Sequence, residues 1–308
     1  MIWICTLNPS IDYHMSVDSL DLGKTNRSQC EHVVIGGKGI NVAIVLNELD
    51  VASTVFGFVG GFTGDKIVNE LQKYPHIHDA LTRVEYDTRI NVKVKGQVET
   101  EINGRGQPVS ETDVKTIETT LSHVSKGDLV VLTGSVANGM DYRWYLNVAR
   151  QCLDRGIEFV VDFADTTLLE VLKYKPRLIK PNVSELEAIL NTPIETDEDI
   201  IKGAQKLVSL GAQACIISNG AKGSFLVTHD AIFTSNIPEG DFKNSVGSGD
   251  SMVAGYLKGY IAQESISTSY QYAVACASAT AYSEHLATHE AIDQLMKRVK
   301  ISEVGGTL

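Results

Sequence analysis

No stretch of this chain is apolar enough to cross a membrane as a helix. Uninterrupted apolar runs such as Leu129–Leu132 fall far short of the roughly 20 residues that a bilayer span requires. The N-terminus has no cationic leader, and Met1–Leu7 is too short for an export segment. Cysteine is sparse: Cys5, Cys30, Cys152, Cys215 and Cys276 are odd in number and form no C-x-x-C pair. They read as reduced, buried, cytoplasmic thiols rather than a disulfide frame. His76 and His78 read as loop residues beside Pro75, and a metal cage of His and Cys is not expected. No linker rich in Pro, Gly or Ser, no run of like charge and no internal repeat divides the chain. Cations are in the minority, 27 Lys+Arg against 38 Asp+Glu, for a formal net charge of −11. That balance excludes a broad nucleic-acid or anionic-membrane surface. It does not exclude a small anion, which a local cluster of cations can hold.

What is present is strand–helix alternation in a chain of 308 residues. Leu129–Leu132, Phe159–Asp162, Leu178–Lys180, Cys215–Ser218 and Phe225–Val227 are short apolar runs expected to be buried strands. Tyr142–Leu153 is expected to be a helix. So is the stripe Ile200, Ile201, Ala204, Leu207 and Val208, which stops at Gly211. Another stripe, Val114, Ile117, Leu121 and Val124, follows Ser110, with Asp113 placed as in a capping box. Alternation of this kind predicts an α/β fold: a mostly parallel central sheet with helices on both faces. Thr88–Lys95 departs from it, because Ile90, Val92 and Val94 alternate with polar residues. Gly96-Gln97 then suits a Gly-X hairpin turn before Val98–Ile102. Half-polar antiparallel strands do not belong inside a doubly covered sheet. They suit a small β-sheet lid built from roughly 12–34 and 86–104 on a single domain of 1–308.

The chemistry concentrates in glycine-rich loops. Asn244-Ser-Val-Gly-Ser-Gly-Asp250-Ser-Met-Val-Ala-Gly255 feeds a helix of small residues. Gly247, Ser248 and Gly249 can turn backbone N–H groups on an anion at the positive end of that helix. Asp250, in the first turn, repels the anion but is placed to take a proton from a hydroxyl attacking it. The bland alternative is an ordinary helix start with a capping Asp. Gly36-Gly-Lys-Gly-Ile-Asn41-Val-Ala43 is a second such loop, carrying Lys38. Neither matches a nucleotide fingerprint: Gly37-Lys-Gly39-Ile-Asn-Val42 lacks the last Gly of G-x-G-x-x-G, and no G-x-x-x-x-G-K-[ST] occurs.

Together these loops are similar to the two signatures of the PfkB family of sugar kinases, which has the ribokinase-like fold. The resemblance covers nearly the whole chain, from Thr6-Leu-Asn-Pro-Ser-Ile-Asp12 onward. Gly57-Phe-Val-Gly-Gly-Phe-Thr-Gly-Asp65, Thr88–Val94, Glu99-Thr-Glu-Ile-Asn-Gly104 and Lys180-Pro-Asn182 resemble the subgroup that phosphorylates fructose 1-phosphate. Tagatose-6-phosphate kinases share the signatures but fit the hairpin less well. The resemblance implies that ATP, with Mg2+, phosphorylates the 6-hydroxyl of fructose 1-phosphate, with Asp250 as base and Gly247–Gly249 as anion hole. It implies that Asp12, Gly36, Gly37 and Asn41 contact the sugar, helped by Asn103 and Ser135. Arg27, Lys38 and Arg89 would hold the phosphate already on it. Asn182 and Glu185 match an N-x-x-E element whose Glu helps to place Mg2+; a helix opening at Pro181 would put both on one face. Lys180, Ser218, Gly220 and Gly223 would meet the nucleotide. A homodimer through the lid is implied as well.

The chain departs from the family at Thr133–Gly139, at Asp162-Phe-Ala-Asp165 and at Ser283-Glu-His285, which leaves edge contacts and potassium dependence open. The competing readings are a tagatose-6-phosphate kinase, a 6-phosphofructokinase of this family, and a non-catalytic sugar-phosphate sensor. A sensor has no need of a base such as Asp250.

Overall fold

The computed structural model describes residues 1–163 and 165–306. The chain opens with β1 (Ile2–Thr6), β2 (Ser10–Ser16), β3 (Cys30–Gly36) and α1 (Lys38–Glu48). Then come β4 (Ser53–Gly60), α2 (Gly61–Leu71), β5 (Ile77–Asp79), β6 (Thr82–Val84), β7 (Ile90–Lys95) and β8 (Glu99–Asn103). The middle holds α3 (Glu111–Ser122), β9 (Leu129–Thr133), α4 (Arg143–Arg155), β10 (Glu158–Asp162), α5 (Thr167–Val171) and β11 (Leu178–Ile179). Next are α6 (Val183–Leu190), α7 (Asp197–Ser209), β12 (Ala214–Ser218), β13 (Ser224–Thr228) and β14 (Ala231–Ser235). The chain closes with α8 (Ser248–Ile261), α9 (Ile266–Ala281), α10 (His289–Met296) and β15 (Ile301–Gly306).

An 11-stranded sheet runs β15-β14-β13-β12-β11-β10-β9-β1-β4-β5, with β6 also on β4. From β12 to β5 every pair is parallel, and β12 to β15 are antiparallel. Alternate side chains feed separate cores. Ile2, Ile4, Val55, Val131 and Val160 pack with α1, α2, α8, α9 and α10. Cys5, Phe56, Val130, Leu132 and Phe159 pack with α3, α4, α5, α6 and α7. Burial on both faces is why the central strands read as unbroken apolar runs. This is the α/β architecture that the alternation implies. The capping box Ser110/Asp113 is formed at the start of α3, with Asp113 N–H donating to Ser110 Oγ at 3.2 Å.

A separate 4-stranded sheet, in the order β3-β2-β7-β8, stands off the main sheet as the lid. Its register sorts polar from apolar side chains. Ser10, Asp12, His14, Asn91, Lys93, Asn103 and Glu101 share one face, and Ile11, Tyr13, Val33, Ile90, Val92 and Ile102 the other. The lid differs from expectation in its pairing, because β2 and β7 run parallel. The hairpin turn also differs: Lys95 pairs with Glu99, so Gly96–Val98 forms a three-residue loop. A type II′ turn needs positive φ at its first central residue, and Gly96 does not adopt it. His78 lies in β5 rather than in a loop, and Cys30 is an exposed thiol while the other cysteines are buried. Among the described residues, no helix is long and apolar enough to cross a membrane.

Candidate active site

The C-terminal ends of parallel strands are where an open α/β sheet offers a crevice, and the motifs gather there. Gly37 (φ 116°) caps α1, and Gly247 (φ 78°) caps α8 in the left-handed region that favours glycine. A side chain on Gly247 would lie 2.5 Å from Leu286 Cδ2. The two helix starts meet side by side: Asn41 Nδ2 donates to Asp250 Oδ2 at 2.7 Å, across 209 residues of chain. Asn41, expected on the sugar, therefore holds the carboxylate.

At the start of α8, Ser248 N–H donates to Ser245 O at 3.2 Å, so that amide is occupied. Among the described residues the N–H groups of Gly247, Gly249 and Asp250 meet no carbonyl, and Ser248 Oγ is buried without a partner. The expected hole thus consists of the glycine amides, the Asp250 amide and the Ser248 hydroxyl. Unpartnered donors at a helix N-terminus invite an anion. Lys180, 5% exposed, aims its ammonium there, since a Cβ built on Gly249 would lie 3.0 Å from Lys180 Nζ.

Asp162, at the end of β10, stood out in the sequence only as the start of a segment that departs from the family, yet it joins this centre. Its Oδ1 lies 3.3 Å from Lys180 Nζ and 3.4 Å from Lys38 Nζ, and Thr133 Oγ1 donates to Oδ2 at 3.4 Å. Lys38, expected on the sugar phosphate, is turned to this carboxylate because opposite charges attract strongly where water is excluded. Burial pushes the Asp250 carboxyl up, and the charge of Asp162 pushes it further, to about 6. Lys38, the Asn41 bond and Lys180 pull the other way. Burial also opposes ionisation of Asp162, but Lys180 and Lys38 outweigh it and hold that carboxyl below its ordinary range. Burial likewise disfavours charge on Lys38; Asp162, Asp250 and Glu185 overcome it, so its pKa stands above the ordinary value. Ala164, within the departing segment Asp162–Asp165, lies outside the described residues.

The lid supplies a second cluster. Asp12 Oδ1 accepts from Ser10 Oγ at 2.7 Å and Asn91 Nδ2 at 2.8 Å, and Lys93 Nζ lies 3.3 Å from Oδ2. A Cβ on Gly36 would come within 2.7 Å of Asp12 Oδ1, so only glycine admits this approach. Ser10, Asn91 and Lys93 were missed in the sequence. Their signal is the polar half of the period-two alternation, which puts them on the Asp12 face. Arg89 Nε donates to Asn8 O at 3.1 Å, and its NH1 donates to Gly104 O at 3.1 Å and Asn91 Oδ1 at 3.2 Å; Asn8 in turn donates to Ser135 Oγ at 3.2 Å. Burial lowers the Arg89 pKa, against the pull of Asp12. Arg89 and Arg105 both line an open cleft of about 820 Å³ at the foot of the β7–β8 hairpin. Asn103 pairs opposite Asn91 on β8. Arg27 is exposed in the β2–β3 connection and, among the described residues, bonds to none of these groups.

On the other flank, Asn182 is the N-cap of α6, and Pro181 precedes it rather than opening the helix. Asn182 Oδ1 accepts from Glu185 N–H at 2.8 Å, and Glu185 Oε2 accepts from Asn182 N–H at 2.9 Å. The capping box therefore fixes the Glu185 carboxylate at the helix start. Ser218 N–H donates to Pro181 O at 3.2 Å, and Gly220–Lys222 forms a tight turn closed by Gly223, which brings Lys180, Asn182, Ser218, Gly220 and Gly223 to one side. Among the described residues, no group of three or more His, Cys, Asp or Glu could hold a metal ion. His285 and His289, four residues apart, are separated by the α10 N-cap Thr288, and His289 is engaged by Glu48. One fixed carboxylate, near enough for its charge to act on Lys38, fits Mg2+ that arrives on substrate phosphates and keeps much of its water.

A model of the pfkB family of carbohydrate kinases matches residues 4–291. The chain is 40% identical over 304 residues to 1-phosphofructokinase of Bacillus subtilis, covering 99% of this chain and 100% of that protein. It is 28% identical over 305 residues to D-tagatose-1-phosphate kinase of Bacillus licheniformis, covering 99% and 100%. The crystal structure of a candidate phosphofructokinase from Staphylococcus aureus superimposes with a TM-score of 0.87 at 39% identity, over 99% of this chain and 100% of that one.

Proposed function

We propose that this chain, which belongs to the pfkB family of carbohydrate kinases, transfers the γ-phosphoryl group of ATP to the 6-hydroxyl of fructose 1-phosphate. The products are fructose 1,6-bisphosphate and ADP. The observation that carries the reading is the Asn41–Asp250 hydrogen bond of 2.7 Å, which fixes a buried carboxylate beside the unpartnered amides at the start of α8. Asp250 takes the proton of the 6-hydroxyl as that oxygen attacks the γ-phosphorus, and the bond to the β–γ bridging oxygen breaks to release ADP. The N–H groups of Gly247, Gly249 and Asp250 and the Ser248 hydroxyl meet the charge on the transferring group, with Lys38 and Lys180 beside them. Asn41 orients the Asp250 carboxylate.

Asp12, Gly36 and Gly37 face the sugar, and the Lys93 ammonium and Asn91 amide hold Asp12 in place. Arg89, Arg27, Asn103 and Ser135 serve the phosphate end, away from Asp250. Asn182, Ser218, Gly220 and Gly223 bound the nucleotide side. Glu185 would hold Mg2+ brought by the nucleotide, and the ion would supply neutralising charge there. The lid's apolar face, with Val33 and Ile90 39% exposed and Ile102 64% exposed, serves a homodimer. Cytoplasm is the setting in which an exposed thiol such as Cys30 stays reduced.

A coupled ADP-release assay over fructose 1-phosphate, tagatose 1-phosphate, fructose 6-phosphate and tagatose 6-phosphate tests the reading. The highest kcat/KM is expected with fructose 1-phosphate. Tagatose 1-phosphate, which differs only in configuration at C4, is the nearest competitor in view of the Bacillus licheniformis relative. Preference for either 6-phosphate would overturn the assignment of the phosphate end, and no turnover with any sugar would favour a sensor.

A further inference from the structure

We propose that Asp162 is a positioning residue for phosphoryl transfer: one buried carboxylate oxygen holds the ammonium groups of Lys38 and Lys180 at the N-terminus of α8. The proposal rests on the kinase reading above and concerns how its cations are placed. Lys38 and Lys180 come from different parts of the chain, the start of α1 and the end of β11, and both reach Asp162 Oδ1, at 3.4 and 3.3 Å. A lysine ammonium is a point charge on a flexible stem, and nothing in its own geometry aims it. Asp162 has what an anchor requires. Its side chain is 1% exposed, and Oδ2 accepts a 3.4 Å bond from Thr133. The carboxyl is held ionised by the lysines themselves. The paired charges cost less to bury than either alone, so both cations are in place before an anion arrives. Lys180 then stands against Gly249 at the mouth of the anion hole.

The same carboxylate acts on the base. The charged or polar groups acting on Asp250 are Asp162 on β10, Lys38 and Asn41 on α1, and Lys180 after β11; Glu185 on α6 acts on Lys38. α9, which packs against α8, carries no charged residue. Asp162 raises the pKa of Asp250 while the lysines lower it, so the poise of the base follows the placement of this triad. A side chain that served the fold alone would leave that poise unchanged when replaced by its isostere.

The test is Asp162→Asn in the full-length enzyme, assayed for kcat and KM from pH 5 to 8 by ADP release. A shift of the acid limb of kcat to lower pH is expected, because the charge that raises Asp250 is gone. A fall in kcat of about 10- to 100-fold is expected with it, the scale of a misplaced reacting group. Asp162→Glu, which restores the charge, should return the acid limb towards that of the wild type. Should Asp162→Asn fail to fold, Lys180→Met reports on the same triad, with the acid limb moving the opposite way as one lowering charge is lost. An acid limb unmoved in all these variants, or kcat of Asp162→Asn within twofold of the wild type, overturns the positioning role. Absence of wild-type turnover with any sugar phosphate would instead sink the kinase reading, so the two failures are distinct.

Discussion

Asp250 is where function and stability pull against each other. Its carboxylate must be ionised to accept a proton, yet burial and the neighbouring Asp162 raise its pKa to about 6. kcat should therefore fall as pH drops below about 6, and Asp250→Asn should lose roughly 10²–10⁴ in kcat while isothermal titration still finds sugar-phosphate binding. An Asn variant with near wild-type turnover would remove Asp250 from the role of base. The stability sign is opposite to that of a salt-bridged carboxylate. A carboxyl whose pKa is raised by folding contributes stability that is full below its unfolded value of 3.8 and is lost as pH rises through about 6. Asp250→Asn should accordingly be more stable than wild type at pH 8, by about 1–3 kcal/mol in urea unfolding. The sequence showed Asp250 because it stands in a distinctive loop. It hid the role of Asp162 because a lone Asp at a strand end looks like any other, and only the sheet order brings it beside Lys38 and Lys180.

At the scale of elements, legibility followed periodicity. Strands β9 and β10 and helices α3 and α7 were visible because burial on two faces or on one stripe leaves a pattern along the chain. β14 and β15 were not read: β15 is largely exposed and pairs antiparallel at the sheet edge, with a bulge between Ile232 and Phe233, so neither has the apolar run of a central strand. Pro181 suggested a helix start two residues early because the capping box Asn182/Glu185 takes precedence over the ring's preference for N1. Helix contact depends on small residues in the same way. A Cβ on Gly255 would lie 2.4 Å from Tyr272 O, backbone that cannot swing aside. Gly255→Ala should push α8 off α9 and lower stability by about 1–3 kcal/mol, read as a lower urea midpoint with an unchanged m-value.

For the whole molecule, the formal charge of −11 and two anionic substrates are reconciled by location. Lys38, Lys93, Arg89 and Lys180 are all buried or partly buried around the crevice, so the cations that an arriving phosphate meets are local ones. The lid divides its labour by face, with polar side chains toward Asp12 and apolar ones outward. If the outward face seats a second copy, Ile102→Glu should shift sedimentation from dimer to monomer, since a charge there has no partner to meet. A wild-type monomer at micromolar concentration would remove that role from the lid.

The Asn41–Asp250 bond spans 209 residues, and this sets an order of events on the ribosome. α1 is made early, but the apolar surface it shares with α8 and α9 stays uncovered until the last quarter of the chain emerges. At translation rates of roughly 5–20 residues per second that wait lasts on the order of ten seconds or more. Throughout it the nascent chain carries the first glycine loop and its lysine but no base. Competence to transfer a phosphoryl group therefore arrives with the completion of the fold, and a product truncated before α8 is a liability for aggregation rather than a partial enzyme.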